Sequence, residues 1–256
     1  MRAVTWGEGN HHFATATDPF HTRDRGSISI FEFPTEDVLA GQSSTGSKVD
    51  DAPQHTPILD IPVDDLNKAI CVGWTIANQH IVAGFDNGLV VKYDSETGKE
   101  IQRQKLHDAR INRLTFSRDK TMFITASVDT TAKMIDPENF EVLQTFKTSA
   151  PVNGAVISPI MPHVLIGGGQ DAMNVTTTSA SQGKFETRLF HYMYGEEFGR
   201  VKGHFGPINA LAMHPNGTAY ASGSEDGYIR LHHFDNNYLN CDDLIPDELK
   251  TADELR

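Results

Sequence analysis

The chain has 256 residues, 38% of them hydrophobic and 22% charged, so it can bury a full core without disulfides or metal and is not a disordered chain. Its 34 acidic residues against 22 basic ones leave a formal charge of −12, which repels phosphate backbones at long range and disfavours direct nucleic-acid binding. No run approaches the roughly 18 apolar residues of a membrane span.

The N-terminal stretch "MRAVTWGEGNHHF" lacks the basic and apolar regions of a signal peptide, and Cys71 and Cys241 alone cannot build a disulfide framework. A reducing, cytoplasmic compartment is expected. In chain order, "HHFATATD" (His11 to Asp18) and "GSISIFEF" (Gly26 to Phe33) read as paired strands of a first unit. That unit covers about 1–62 and is interrupted at 34–57 by a polar, turn-rich stretch expected to be a mobile loop. The second unit, about 63–105, holds "HIVAGFDNGLVVKYD", two strands joined by Asn87-Gly88, a dipeptide that supplies the positive φ of a tight hairpin. The third, about 106–149, and the fifth, about 203–235, are near copies of one another. Laying His107 under His204 without a gap makes seven of 30 columns identical, among them the His, Ile-Asn, Leu, Thr, Ser and an Asp 22 residues after the His. Between them the fourth unit, about 150–202, pairs "HVLIGGGQ" with "FETRLFHY" across an insertion at 171–184. Residues 236–256 form an acidic C-terminal tail, expected to be a frayed end or a short helix from Pro246.

The 97 residues between His107 and His204 make two periods of roughly 40 plus an insertion. Helical periodicity is lacking. Four-stranded units of that length cannot bury both faces alone, so the predicted fold is all-β, with five blades stacked radially as part of a propeller.

His204, Ser222 and Asp226 are the residue types of a hydrolytic triad, and His107, Thr125 and Asp129 repeat them at the same offsets. A hydrolase needs its nucleophile exposed on a sharp turn beside oxyanion donors, once. A structural tie needs it in every unit. A neutral imidazole can donate to the carboxylate and accept from the hydroxyl, binding turn, strand and preceding loop together. The second reading is preferred.

Other groups point to nothing sharper. Gly167, Gly169 and Ala172 spell G-x-G-x-x-A, but no helix-forming sequence follows to carry a phosphate, and a glycine-rich strand packed closely explains the run. The adjacent histidines 11–12 and 232–233 would point to opposite faces of a strand, so no metal site is expected, and no cofactor. The hydroxyl run from Thr176 to Ser179 reads as a polar hairpin tip or a phosphorylation site. Arg110, Arg113, Arg118 and Lys120 form a local basic stretch, read either as a solvated face or, at Arg110 and Arg113, as contact points for an acidic partner.

The fifth unit resembles a WD-repeat blade, with Gly203-His204, Ser222 and Asp226 in place and His232 where the repeat's Trp would stand; in the third unit Ile135 takes that place. More specific words are Ile166-Gly167-Gly168-Gly169-Gln170, Val175-Thr176-Thr177-Thr178-Ser179, Gly183-Lys184-Phe185-Glu186, Gly199-Arg200-Val201, Gly203-His204-Phe205-Gly206-Pro207 and Glu225-Asp226-Gly227-Tyr228 through His232-His233-Phe234. On these the chain, from about Arg2 to Tyr238, resembles subunit i of eukaryotic translation initiation factor 3. The resemblance implies a non-catalytic propeller in the factor that loads onto the small ribosomal subunit and supports mRNA recruitment and scanning. It implies contacts with subunits b and g, only indirect contact with the ribosomal subunit, and neither nucleic acid nor membrane as a direct partner. It also implies seven repeats. This chain is expected to begin inside strand a of the third, leaving five blades in an open arc. A WD-repeat adaptor in signalling or ubiquitin transfer is the alternative, and a Ser-His-Asp hydrolase a more remote one.

Overall fold

The computed structural model describes residues 1–18, 26–33, 56–63, 67–169 and 185–239. Most of the loop expected at 34–57, the insertion at 171–184 and the tail around Pro246 lie outside these residues. Among the described residues nineteen strands form five antiparallel sheets, each joining strands in sequence order. The first holds β1 (Ala3–Trp6), β2 (His12–Thr17), β3 (Ser27–Glu32) and β4 (Leu59–Pro62). The second holds β5 (Ala69–Trp74), β6 (His80–Phe85), β7 (Leu89–Asp94) and β8 (Glu100–Lys105). The third holds β9 (Ile111–Phe116), β10 (Phe123–Ser127), β11 (Thr131–Ile135) and β12 (Val142–Lys147). The fourth holds β13 (Val152–Ile157), β14 (His163–Gly168), β15 (Thr187–His191) and β16 (Glu197–Val201).

The fifth holds, among the described residues, β17 (Ile208–Met213), β18 (Ala219–Ser224) and β19 (Ile229–His233). After His233 the chain turns away from the sheet. Asp235 accepts the Tyr238 N–H at 2.8 Å and opens the one-turn helix α1 (Asn236–Leu239), an Asx start of the kind that begins helices. Phe234 stacks on Tyr238 at 4.1 Å between ring centroids, and the Tyr238 hydroxyl reaches His163 of the fourth sheet at 2.8 Å.

Successive sheets pack through their first strands, β1 on β5, β5 on β9, β9 on β13 and β13 on β17. Those strands therefore gather about an axis and the later ones radiate outward, the arrangement of propeller blades. The core is four layers between five sheets. Ile28 and Ile30 meet Trp74 and Ile81; Val82 and Val90 meet Ile111 and Phe123; Ile124 and Phe146 meet Ile166 and Phe190; Leu165 and Leu189 meet Ile208 and Tyr220. Strand alternation supplies this directly, because each inner sheet sends successive side chains to opposite neighbours. The arc is open. Val4 and Trp6 on the far face of the first sheet, and Ile229 and Leu231 on that of the fifth, are largely exposed.

Among the described residues no helix is long and apolar enough to cross a membrane. Gly88 closes the β6–β7 hairpin with φ 83°, and a Cβ there would stand 2.0 Å from the His107 carbonyl oxygen. The second sheet thus seats the loop that leads into the third.

Candidate functional site

The two copies of the histidine, hydroxyl and carboxylate set form the same constellation. In the fifth sheet, His204 Nδ1 lies 2.9 Å from Asp226 Oδ2 and Nε2 lies 2.8 Å from Ser222 Oγ. In the third, His107 Nδ1 lies 2.9 Å from Asp129 Oδ2 and Nε2 lies 2.7 Å from Thr125 Oγ1. The carboxylate can only accept, so Nδ1–H donates to it, and the hydroxyl donates to the unprotonated Nε2.

Each member comes from a different local element. The histidine sits in the loop before the first strand, the hydroxyl within the second strand, and the Asp in the turn between second and third strands. The Asp also gathers backbone donors. Asp226 accepts the N–H of Phe205 and of Tyr228, each at 3.0 Å, and Asp129 accepts those of Asp108 and Thr131. Burial pushes both carboxyls up, but the donated bonds and the neighbouring histidine outweigh it and hold both below the usual carboxylate range. Burial also depresses the His107 imidazole, against the pull of Asp129, so it stays neutral.

His232 approaches Ser222 Oγ at 3.4 Å and stacks on Tyr220, while Ile135 is fully buried at the corresponding place in the third sheet. Thr125 is 0% and Ser222 1% exposed, and both lie on strands paired on either side. A hydroxyl so enclosed can tie a sheet together. It cannot meet a substrate without the sheet opening.

The glycine run lies in close packing. A Cβ at Gly167 would strike Ile208 of the fifth sheet at 2.8 Å, and one at Gly168 would stand 2.0 Å from the Pro151 carbonyl oxygen. Among the described residues no three metal-ligating side chains gather. The Thr176–Ser179 hydroxyls fall outside the described residues.

Arg110 and Arg113 are both exposed but have separate settings. Arg113 projects from β9, while Arg110 donates its Nε to Asn112 Oδ1 at 2.9 Å. That bond heads a ladder which the sequence reading missed. Asn112 Nδ2 donates to the Val152 carbonyl and Asn153 Oδ1, Asn153 Nδ2 to the Ile208 carbonyl and Asn209 Oδ1, and Asn209 Nδ2 to Glu225. Each asparagine is the second residue of its sheet's first strand, so the amides bridge the third, fourth and fifth sheets beside the axis. The signal was the repeated Ile-Asn. A second omission is Ser127 and Ser224, 20 residues after each histidine. Each accepts the N–H of its network Asp and donates to carbonyls of the preceding loop.

Radially stacked antiparallel sheets, tied by histidine, hydroxyl and aspartate at recurring offsets, define a WD-repeat β-propeller, here as an open arc of five sheets. The EIF3I family profile matches residues 7–242. A protein of Bombyx mori named eukaryotic translation initiation factor 3 subunit I is 52% identical over 186 residues, covering 73% of this chain and 56% of the relative. Proteins of the same name from Aspergillus terreus and Coccidioides immitis are 45% and 47% identical over 217 residues, or 84% of this chain and 61% and 62% of theirs. The chain belongs to the EIF3I family. It spans about three-fifths of the length of these relatives.

Proposed function

We propose that the chain serves as a non-catalytic scaffold within eukaryotic translation initiation factor 3, holding other subunits so that the factor supports mRNA recruitment and scanning on the small ribosomal subunit. Subunits b and g are the partners assigned to it in this reading, the ribosomal contact is indirect, and the compartment is the cytoplasm. The units at 1–62, 63–105, 106–149, 150–202 and 203–235 are its blades. His107, Thr125, Asp129, His204, Ser222, Asp226 and His232 are fasteners inside them.

The observation that carries the reading is the enclosure of both histidine networks within sheets of a chain whose relatives bear the initiation-factor name. Chemistry-bearing side chains are spent on holding strands and loops, which leaves the rim and outer edges for protein contacts. The charge of −12 fits protein partners better than RNA.

Affinity purification of the tagged chain from cells, with the co-purifying proteins identified by mass spectrometry, tests it. Recovery of the other initiation-factor subunits is the expected result. Recovery of signalling or ubiquitin-transfer components in their place would assign the chain to an unrelated adaptor role. A turnover activity abolished by Ser222→Ala at an unchanged melting temperature would overturn the non-catalytic reading.

A further inference from the structure

We infer that the rim of the fifth sheet at Phe205, Tyr228 and Arg230 is a docking site for a linear protein segment that carries an apolar or aromatic side chain next to a carboxylate. This rests on the protein-contact reading above and assigns a place and a chemistry to one contact.

The third sheet is an internal control for what exposure means in the fifth. Ile229 is 82% exposed where its counterpart Ala132 is 0%, because Ala132 faces the fourth sheet and Ile229 faces an open side. Its exposure therefore says nothing about a partner. Phe205 is different. Its counterpart Asp108 stays exposed although the fourth sheet is packed beside the third, so this position belongs to the rim and not to the face between sheets. At that rim position the fifth sheet carries a phenyl ring that is 85% exposed.

The backbone beneath it is held in place. Asp226 accepts the Phe205 N–H on one oxygen and the Tyr228 N–H on the other, each at 3.0 Å, so one carboxylate fixes the backbone of both aromatic residues. Tyr228 is 65% exposed. The same carboxylate in the third sheet presents Asp108 and Thr131, both polar. The scaffold is shared, and the groups it displays have changed from polar to aromatic. Large aromatic side chains held rigidly at a surface contribute contact area at small entropic cost, which is why they recur as anchors of interfaces.

Arg230 supplies the charge. Its counterpart Lys133 donates Nζ to the Leu106 carbonyl and is satisfied within its own sheet. Arg230 is half-buried and has no ion pair among the described residues; its buried Nε has no hydrogen-bond partner, and its guanidinium stands 5.8 Å from the Tyr228 ring centroid. A cation beside the Tyr228 ring, with the exposed Phe205 on the same rim, matches a carboxylate flanked by an apolar side chain. Aromatic rings with an arginine also stack nucleic-acid bases, but a base-stacking platform works with a basic groove that follows the backbone. This rim instead carries exposed Glu225, in a chain of net charge −12.

The test uses the full chain, immobilised, against a displayed library of random peptides about 12 residues long, long enough to span such a patch in extended form. Selected peptides are expected to pair acidic with aromatic or large aliphatic residues. Fluorescence polarisation of the selected peptides should show binding weakened about tenfold or more by Phe205→Ala with Tyr228→Ala and by Arg230→Glu, and changed less than about twofold by Met193→Ala, an exposed site on the fourth sheet. Melting temperatures within about 2 °C of the parent would show that the rim variants stay folded, as substitutions at exposed Phe205 and Tyr228 should, and the measurement is needed most for half-buried Arg230.

Selection of peptides without carboxylates, or binding indifferent to the rim variants, overturns the proposal. So does labelled oligo-uridine binding that the rim variants abolish while acidic peptides fail to compete. Subunit co-purification with the parent chain is scored separately, so the scaffold reading can fail or stand independently of the rim.

Discussion

The third and fifth sheets are built on one plan and sit in different surroundings. Both tie histidine, hydroxyl and aspartate within 3 Å contacts, yet the third lies between two neighbours and the fifth has one. Their internal fastening is therefore nearly the same, and what differs is everything that depends on a neighbour. Counterpart residues separate the two effects. Ala132, packed against the fourth sheet, is buried where Ile229, with no sheet beside it, is exposed. A repeat thus conserves what holds a blade together and varies what the blade meets.

The largest expected effect tests the dependence on neighbours. Gly88 and Gly227 occupy equivalent hairpin turns with φ of 83° and 82°. A Cβ at Gly88 would collide with the backbone of the third sheet's His107 loop, while one at Gly227 meets nothing within 4 Å. Gly88→Ala is expected to cost at least about 3 kcal/mol, combining a backbone clash with left-handed strain, and Gly227→Ala only about 1 kcal/mol from the strain alone. Urea unfolding of the two variants measures the difference. Equal losses would mean that the hairpins, and not their neighbours, set the cost.

The next effect concerns the junction of the fourth and fifth sheets. His163 is fully buried, donates or accepts at Nδ1 with the Tyr238 hydroxyl at 2.8 Å, and packs against Phe198. Burial, with nearby His191 adding to it, lowers its imidazole from 6.5 to about 4. The unfolded chain then takes up a proton near pH 6.5 that the folded chain refuses until about pH 4, so stability falls as pH drops through that window and levels off below it. The loss is on the order of 3 kcal/mol at the acid end. His163→Gln should flatten the dependence of melting temperature on pH between those limits, whatever it does to the value at pH 7. An unchanged slope would show that other groups carry the acid sensitivity.

Within the third sheet, His107→Ala is expected to cost about 2 kcal/mol, because it removes two buried bonds at once, leaving the Thr125 hydroxyl only the Lys133 carbonyl and Asp129 only its bonds within the loop and turn. Ser222→Ala in the fifth should cost about 1 kcal/mol, the loss of one buried hydrogen bond. Chemical denaturation of the two variants ranks them. A reversed order would break the view that both sheets are fastened from the histidine outward.

Much of this plan is local, and local features are legible in a sequence. The offsets of 18 and 22 residues from each histidine, the Asn-Gly and Asp-Gly turns and the alternating strands can all be read along the chain. The parts that escape such reading join distant residues. Nothing in "FDNNYL" announces that Tyr238 reaches His163, 75 positions earlier. Arg110 reads as a free basic residue until the neighbouring amide oxygen is placed beside it. Phe205 and Asp108 stand in equivalent columns, and only the packed fourth sheet shows that this column faces outward.

The asparagine ladder gives the smallest effect and the finest comparison. Asn153 bridges two sheets, accepting from Asn112 and donating to the Ile208 carbonyl and to Asn209, whereas Asn209 is exposed and ends on Glu225 in its own sheet. Removing Asn153 breaks the chain of amides and leaves partners on both sides to find water. Asn153→Ala should therefore cost about 1 kcal/mol, and Asn209→Ala less than about 0.5 kcal/mol, since water already competes for its bonds. The double variant should cost less than the sum of the two singles, close to Asn153→Ala alone, because the two amides share a hydrogen bond. Strict additivity would reduce the ladder to separate pairs that happen to lie in line, and the sheets would then owe their order about the axis to the apolar layers alone.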